Sequence, residues 1–529
     1  MAKKKKEENL LKWSELIVWC YLAVMLGIFP LYYQNKYWNM GAAKYRFFRL
    51  ITLIMLIYLA VTQICAFLFD SKKERRKINL SMMDRAVLIY AGAAVVSWMC
   101  SPFRTDAWVG SDGWYMGLLS QLMFVGIYFA LSRFGTDLKW PLWIIGISGT
   151  IVFFFAYIHR FNLDPFGLYE GVLEREKIAF LGLLGQATWY SSYLCVILPL
   201  MVGVYVTADW TRNKIGYGVR GLTAGFLFLG FCSVVTQNSD SAYVGLGLSF
   251  LFLLWFALED LTIWKQYVEV GLLAVMAAKC TGILQTVFAD RARALDPLSD
   301  MITKSKAGWL VLIAGILCYI ATCYVEKKCA GKPMPKWSRM IRRVRIILYF
   351  LIALAVCALP VMIWMVTTGN LIGNFGILQE SGYMLFDQRW GNGRGAIWSY
   401  AVKILWEYSP LMKLFGCGPD ALMFYTAAHH AEEARAIWGD MALTNAHNEW
   451  LTAVVDYGII GGAAYIGIFL TSLWRSVKKA KNRPVLLAMG AAVVAYIGHN
   501  ISCYQQVICT PLIFMVMGTA EYLIRRQNL

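Results

Sequence analysis

Charged residues are scarce in this sequence, because Asp, Glu, Lys and Arg make up 16% of the chain while apolar residues make up 59%. A soluble domain carries roughly 25% charged residues and roughly 45–50% apolar residues. No stretch of about 100 residues, a common domain size, has the composition of a separate soluble unit. The shortage of charge therefore excludes an ordinary soluble protein and indicates one integrated membrane domain.

Paired motifs for metals, redox chemistry and nucleotides are also missing. The 13 cysteines are scattered, without a Cys-x-x-Cys pair or a Cys/His spacing suited to zinc. Gly416-Cys417-Gly418-Pro419 is typical of a turn, since the lysine of a nucleotide-binding loop does not follow it. We therefore expect no metal site and no cofactor. Cys417, in a long connection near the C-terminus, is the one cysteine that we expect to be exposed.

Apolar stretches long enough to span a bilayer, roughly 20 residues, recur from end to end of the chain. We predict an all-α, polytopic membrane protein of about fourteen transmembrane helices, with a long, partly helical outer loop before the twelfth. The predicted spans are 15–33, 47–70, 86–101, 115–134, 140–160, 188–208, 217–237, 241–258, 267–284, 307–325, 346–369, 449–474, 485–503 and 508–524.

The formal net charge of +18 is also found in nucleic-acid-binding proteins, but its distribution argues against that class. Most of the 50 Lys and Arg lie on one set of loops and ends, as the positive-inside rule requires. Membrane lipids are the expected partner of these basic runs, and nucleic acid is not. Lys3 to Lys6 and Arg525-Arg526 predict that both termini are cytoplasmic. Residues 1–14 lack the features of a cleavable signal, so we expect a multi-pass protein of the cell (cytoplasmic) membrane.

The predicted spans divide the chain into three parts. Residues 1–369 form an N-terminal transmembrane bundle, 370–448 a large extracytoplasmic loop, and 449–529 the C-terminal transmembrane helices. Loops beyond about 15 residues are usually functional or disordered, and this one is rich in Trp and Tyr. Within it, residues 395–409 place apolar residues at helical spacing, which predicts an interfacial amphipathic helix.

His447 is the strongest candidate for catalysis among the five histidines. It lies just before the twelfth predicted span, at the boundary where a lipid-anchored substrate presents its headgroup. If Thr444 or Asn445 caps the helix, the imidazole lies in the first turn, where the helix dipole disfavours the cationic form. A neutral ring near physiological pH accepts a proton and acts as a general base. Asn448 and Glu449 either orient the ring or only favour the start of the helix.

Two arginines are the second signal. Arg389 and Arg394 flank a glycine-rich stretch just before the amphipathic segment. A planar guanidinium matches phosphate oxygens bidentately, and glycines let the backbone approach a ligand. The alternative is contact with lipid headgroups or with a carboxylate of the loop. Asp240, at a tight turn between two spans, is either interfacial or part of a cavity lining.

In their order and spacing, features of about residues 389–470 resemble the O-antigen ligase and polymerase superfamily of bacterial envelope glycan enzymes. The resemblance is carried by Arg394, Trp398, Ser409-Pro410, Phe415-Gly416-Cys417-Gly418-Pro419, Ala446-His447-Asn448-Glu449-Trp450-Leu451 and Asp456-Tyr457-Gly458-Ile459-Ile460-Gly461. Three upstream segments are similar to further parts of the family, namely Trp108-Val109-Gly110-Ser111, Gly185-Gln186-Ala187-Thr188 and Thr236-Gln237 to Ala242-Tyr243.

This resemblance implies a membrane glycosyltransferase that works without a metal at the outer face of the membrane. The donor would be a glycan on undecaprenyl pyrophosphate. The acceptor would be a sugar hydroxyl of another lipid-linked glycan or of an envelope carrier. By this likeness, His447 takes the proton of the acceptor and Arg394 holds the leaving pyrophosphate.

The chain departs from the family near Ser239-Asp240, where an arginine is often found and this chain has none. Another arginine is then expected to supply the second phosphate ligand, and ligase, polymerase and teichoic-type transferase all stay open. The expected substrate-binding residues are Arg389, Arg104, Arg175, Asn448 and Asp240. The alternative function is a transporter or flippase of lipid-linked glycans, which would need polar residues deep within the spans.

Overall fold

The computed structural model of the chain describes residues 2–69, 79–210, 214–328, 335–369 and 384–526. It is 76% helical with almost no strand, which confirms the all-α prediction. The helices are α1 (Ala2–Ala23), α2 (Met40–Phe69), α3 (Met82–Cys100), α4 (Asp106–Val109), α5 (Leu118–Phe134), α6 (Lys139–His159), α7 (Ala187–Thr207), α8 (Lys214–Thr236), α9 (Ser241–Ala257), α10 (Leu261–Val287), α11 (Pro297–Lys304), α12 (Ala307–Lys328), α13 (Pro335–Thr367), α14 (Trp390–Glu407), α15 (Pro410–Phe415), α16 (Leu422–His429), α17 (Ala431–Trp438), α18 (Glu449–Ala480), α19 (Leu486–His499) and α20 (Thr510–Arg525).

The helices form a polytopic membrane protein. Within the described ranges, nine helices are long and apolar enough to cross a membrane, and α5, α9 and α19 are shorter apolar helices. Each predicted span overlaps a helix, while the count of fourteen stays a prediction. The most apolar window of α7 is 89% buried, against 0% for that of α13. α7 therefore forms the centre of the bundle, and α13 presents its apolar surface to lipid.

Small residues let the central helices approach closely. Gly203 of α7 lies so near α19 that a Cβ atom on it would be 2.4 Å from the Cα atom of Ala488. Gly245 of α9 meets the backbone of α19 in the same way, with 2.6 Å from an added Cβ to the Ala495 carbonyl oxygen. Such residues permit tight helix packing in membranes. α7, α9 and α19 therefore form a dense central layer.

One end of the bundle, termed the loop end, collects the connections 101–117, 160–186 and 384–448. The Ser101 hydroxyl donates to the Cys417 carbonyl at 2.5 Å and joins the first connection to the third. In the second connection, β1 (Phe180–Leu181) pairs with β2 (Gly185–Gln186) in an antiparallel hairpin that leads into α7. The Trp114 ring of the first connection meets Trp189, just after this hairpin, edge to face with 6.3 Å between centroids. All three connections therefore lie on the same side of the bundle.

The long loop is folded over the described part of its length, residues 384–448. α14 corresponds to the predicted amphipathic helix: Tyr400 and Ile404 are buried in a second apolar core, whereas Trp406 is 75% exposed. Tyr408 ends the helix, and the Ser409 hydroxyl caps α15 by accepting from the Met412 N–H group. The loop therefore carries its own small core against the end of the bundle.

The prediction that Cys417 is exposed is wrong, because its side chain is completely buried. The turn that contains it runs against α18, where the Cys417 N–H group donates to the Val455 carbonyl at 3.2 Å. α18 breaks at Gly458, whose φ of 69° and ψ of −177° lie outside the helical region. A Cβ atom on Gly458 would lie 2.3 Å from the Leu414 carbonyl oxygen. Glycine is required there because two backbones touch.

Candidate functional site

His447 lies directly before α18, between two asparagines that shape the backbone. The Asn445 side-chain oxygen accepts from the His447 N–H group at 2.9 Å, and the Asn448 side-chain oxygen caps α18 by accepting from the Leu451 N–H group at 3.0 Å. The cap is therefore Asn448, rather than Thr444 or Asn445 as the sequence suggested. With a φ of 46°, His447 adopts the left-handed conformation, which histidine tolerates better than most residues.

The imidazole of His447 is half-buried against Tyr504. The two rings meet edge to face, with 5.0 Å between their centroids. Burial lowers the pKa of His447 from 6.5 to about 4, and the positive charge of Arg394 contributes to the same shift. The ring is therefore neutral at physiological pH and able to accept a proton.

Arg394 follows a left-handed turn at the start of α14. Gly391, Asn392 and Gly393 have φ values of 58°, 62° and 86°, which explains the glycines on either side of Asn392. The guanidinium donates from Nη1 to the Gly391 carbonyl at 2.7 Å and from Nε to the Ser502 carbonyl at 3.1 Å. These bonds fix the position of the guanidinium. It lies near His447, since its positive charge contributes to the lowered pKa of that residue.

Residues 500–509, the connection between α19 and α20, link the two candidate catalytic residues. Ser502 accepts from Arg394, and Tyr504 packs on His447. The Asn500 carbonyl accepts from the Glu449 N–H group at 3.0 Å. The predicted spans had assigned most of this segment to the membrane, because it is largely apolar. The connection therefore belongs to the site, although the sequence did not indicate it.

Two of the three upstream segments of the family resemblance contact this connection. The Tyr504 hydroxyl donates to the Gln186 side-chain oxygen at 3.1 Å and lies 3.3 Å from the Thr188 hydroxyl. The Cys503 thiol lies 3.4 Å from the Ser241 hydroxyl. Segments far apart in the chain thus support one region of the loop end, next to His447.

His499, at the end of α19, is buried and satisfied on both ring nitrogens. Its Nε2 lies 2.9 Å from the Ser191 hydroxyl, and its Nδ1 lies 3.1 Å from the Asn500 side-chain oxygen. These contacts fix the start of the 500–509 connection, so His499 positions the segment that holds Arg394.

Asp240 and Arg394 are close enough to interact. Asp240 is exposed at the turn before α9. Partial burial and the charge of Asp296 raise the pKa of Asp240, while the charge of Arg394 lowers it. Of the predicted substrate-binding residues, Asp240 is thus brought to the side of the site where Arg394 lies.

The other predicted arginines lie further out. Arg389 is exposed one turn before Arg394, and its N–H group donates to the Asp387 carboxylate at 2.9 Å. Arg104 and Arg175 are exposed on the first and second connections of the loop end, and the described contacts do not join either of them to His447. Their role as phosphate ligands stays a prediction.

Arg160 is a buried cation of the loop end that the sequence argument missed. Its Nε donates to the Thr236 carbonyl at 2.5 Å, and both terminal nitrogens donate to the Ile178 carbonyl at 3.3 Å. It ties the second connection to the end of α8.

Three buried carboxylates lie behind His447. Asp420, Glu449 and Asp456 line a cavity of about 20 Å³, enough for about one water molecule. Glu449 accepts from the hydroxyls of Tyr465 at 2.5 Å and Tyr496 at 2.9 Å. The sequence left two roles open for Glu449: orienting the His447 ring or favouring the start of the helix. The described contacts of the Glu449 side chain do not include the His447 ring.

Asp420 ties the long loop to the first connection. One of its carboxylate oxygens accepts from the N–H groups of Ser111 at 2.7 Å and Met116 at 3.0 Å. Gly110 makes room, because an added Cβ would lie 2.3 Å from that oxygen. Burial raises the pKa of Asp420 to about 7, against the effect of these hydrogen bonds.

Fold and site together define a polytopic membrane protein that presents a neutral histidine beside a fixed arginine at one end of its helix bundle. Residues 298–466 match the family model described as O-Antigen ligase. Over this region, the match confirms the resemblance to the O-antigen ligase and polymerase superfamily. The matched region contains Arg394 and His447 and begins in α11, upstream of the predicted 389–470. No curated protein matches the chain.

Proposed function

We propose that the protein transfers glycan from an undecaprenyl-pyrophosphate donor to a sugar hydroxyl, at the outer face of the cytoplasmic membrane. The observation that carries this proposal is the pairing of a half-buried, neutral His447 with an arginine whose charge reaches it. The family match supports glycan transfer of the ligase or polymerase type. A base beside a fixed cation is what glycosyl transfer from a diphosphate requires.

In the proposed reaction, a ring nitrogen of His447 takes the proton of the acceptor hydroxyl. The acceptor oxygen then forms a bond to the anomeric carbon of the donor sugar. The bond between that carbon and the diphosphate oxygen breaks, and its electron pair leaves with the lipid diphosphate. Arg394 stabilises the negative charge that grows on this leaving group. The proton ends on the imidazole and is released to water.

The electrostatics of the site suit this sequence of events. Burial and Arg394 keep the imidazole neutral before substrate binds. A bound diphosphate brings negative charge next to Arg394 and offsets its effect on His447. The pKa of His447 therefore rises when donor is present, and the ring becomes a stronger base at the moment the reaction needs one.

The loop end is the outer face in this proposal, with both termini in the cytoplasm. The lysines and arginines of the opposite end favour that orientation through the positive-inside rule. A donor lipid in the outer leaflet then presents its diphosphate at the level of α18's first turn. Transport is disfavoured, because the close contacts of Gly203 with Ala488 pack the described bundle tightly at its centre.

The test is transfer by purified protein in proteoliposomes that contain lipid-linked glycan extracted from the host. His447→Ala is expected to lower product formation by at least about 100-fold, since general base catalysis typically contributes 10²–10⁴. His429→Ala is the matched control, because His429 is an exposed histidine of the same loop. Wild-type turnover in His447→Ala, or movement of donor between leaflets without transfer, would contradict the proposal.

A further inference from the structure

An aromatic groove opens at the loop end beside the candidate site. It lies where the start of α2, the loop 112–115 and the start of α7 meet, and its volume is about 370 Å³. Small-molecule sites occupy roughly 300–1,000 Å³. Its lining includes Trp38, Asn39, Asp112, Trp114 and Trp189.

The walls of the groove are packed against one another. Gly41, in the first turn of α2, lies so close to its neighbours that an added Cβ would be 3.0 Å from the Trp189 ring and 3.2 Å from the Gly113 carbonyl oxygen. On the same side, the Tyr45 and Tyr115 rings stack with centroids 4.3 Å apart. The groove is therefore held by the fold, and it leaves Trp38 70% exposed at its rim.

Aromatic contacts connect the groove to His447. The Trp114 ring meets Tyr504 edge to face, with 4.5 Å between centroids, and Tyr504 in turn meets His447 at 5.0 Å. Arg394 contacts the same connection at Ser502 instead. The groove and His447 thus lie on either side of the buried Tyr504 ring, and the groove is on the side of the proposed base, where the acceptor hydroxyl must lie.

The lining combines π-faces with polar groups in a way that suits a sugar. A pyranose has an apolar face of C–H bonds, which packs on the electron-rich face of an aromatic ring. Its hydroxyls donate to carboxylates and form hydrogen bonds with amides. The lining contains the Asn39 amide and the Asp112 carboxylate, one oxygen of which accepts from the Tyr115 hydroxyl at 2.6 Å. A lipid tail would offer these polar groups no hydrogen bond and would displace water from them.

We infer that this groove binds a sugar ring of the acceptor glycan, next to the residue whose hydroxyl reacts. The inference rests on the proposed glycan transfer and adds the place where the acceptor is recognised. Trp38 is the rim platform, and Trp114 and Trp189 form the wall nearest the site.

The test measures binding and turnover separately. The binding probe is a water-soluble oligosaccharide released from the host's own envelope polysaccharide, observed by saturation-transfer NMR with the full-length protein in nanodiscs. Trp38→Ala is expected to weaken binding and to raise the acceptor KM about tenfold, with kcat little changed, as loss of one stacking surface predicts. Trp38→Phe should restore most of both.

Trp406→Ala is the matched control, since Trp406 is an equally exposed tryptophan of the loop end, away from the groove. Equal binding and equal acceptor KM in Trp38→Ala and wild type would overturn the inference. So would a phospholipid, detected by native mass spectrometry, that Trp38→Ala alone releases. If wild-type protein transfers no glycan but binds the oligosaccharide through Trp38, the groove stands and the proposed transfer fails.

Discussion

Asp420 offers the clearest test of how the loop end is held together. Asp420→Ala removes the acceptor for the N–H groups of Ser111 and Met116. Because Asp420 is only 6% exposed, water cannot easily enter to accept these two hydrogen bonds in place of the carboxylate. Each unpaired buried donor costs about 1–3 kcal/mol. The expected loss of stability is therefore about 2–6 kcal/mol, whereas Asp420→Asn keeps an oxygen acceptor and loses less.

The pH dependence of stability gives this prediction a second measure. The pKa of Asp420 is raised to about 7 in the folded protein, from 3.8. A raised carboxyl pKa means that folding favours the protonated form. The associated stability is complete below pH 4 and is lost as the pH rises from 4 to 7. Its upper limit is on the order of 4 kcal/mol at 1.36 kcal/mol per pH unit.

The assay is thermal unfolding of purified protein in detergent between pH 5 and pH 8, for wild type, Asp420→Asn and Asp420→Ala. Asp420→Asn removes the titration of this carboxyl together with its charge beside the Asp456 carboxylate, which accepts from the Asp420 N–H group at 3.1 Å. We expect Asp420→Ala to unfold at clearly lower temperature, and Asp420→Asn to show a flatter pH dependence than wild type. Equal unfolding temperatures for wild type and Asp420→Ala at every pH would refute the reasoning.

Three further predictions follow from close contacts. Gly458→Ala should destabilise the protein by at least about 3 kcal/mol, because its Cβ would meet the Leu414 backbone at 2.3 Å in a conformation that favours glycine. Gly467 lies on the same helix with open space around it, so Gly467→Ala should leave the unfolding temperature unchanged in the same thermal assay. Arg394→Lys should lower transfer at least about tenfold, since an ammonium cannot keep two backbone carbonyls and a diphosphate; unchanged turnover would remove this residue from the site. Cys417 should resist water-soluble maleimide until the protein unfolds. Because other cysteines are exposed, the labelled residue is located by peptide mass spectrometry, and fast labelling of Cys417 itself in native protein would contradict its burial.

Much of the fold was predictable from local patterns. Hydropathy located the helices, because a spanning helix must carry a continuous apolar stretch. The amphipathic segment before Pro410 was predictable for the same reason, since its periodicity is local. Boundaries were weaker: Thr444, Asn445 and Asn448 are all good capping residues, and only the three-dimensional contacts show that Asn448 serves.

The site was predictable only in part, because several of its members act through contacts distant in sequence. The two ends of residues 500–509 fall within predicted spans, yet the backbone carbonyls of Ser502 and Asn500 hold Arg394 and α18. Cys417 lies in a turn between two glycines, and its burial depends on packing against Val455. Trp38 and Trp114 share a groove only because α2 and the first connection meet at the loop end.

The pH dependence of transfer tests the central claim most directly. kcat/KM reports the ionisation of the free enzyme, so wild-type activity should persist well below pH 6.5 and fall as the pH approaches 4, where His447 becomes protonated. In Arg394→Gln, a positive charge beside the imidazole is gone, so the pKa of His447 rises, although burial still holds it below 6.5. The residual activity of this variant should therefore be lost at a higher pH than that of the wild type. If wild type and Arg394→Gln lose activity over the same acidic pH range, or if His447→Ala keeps full activity, the account is contradicted.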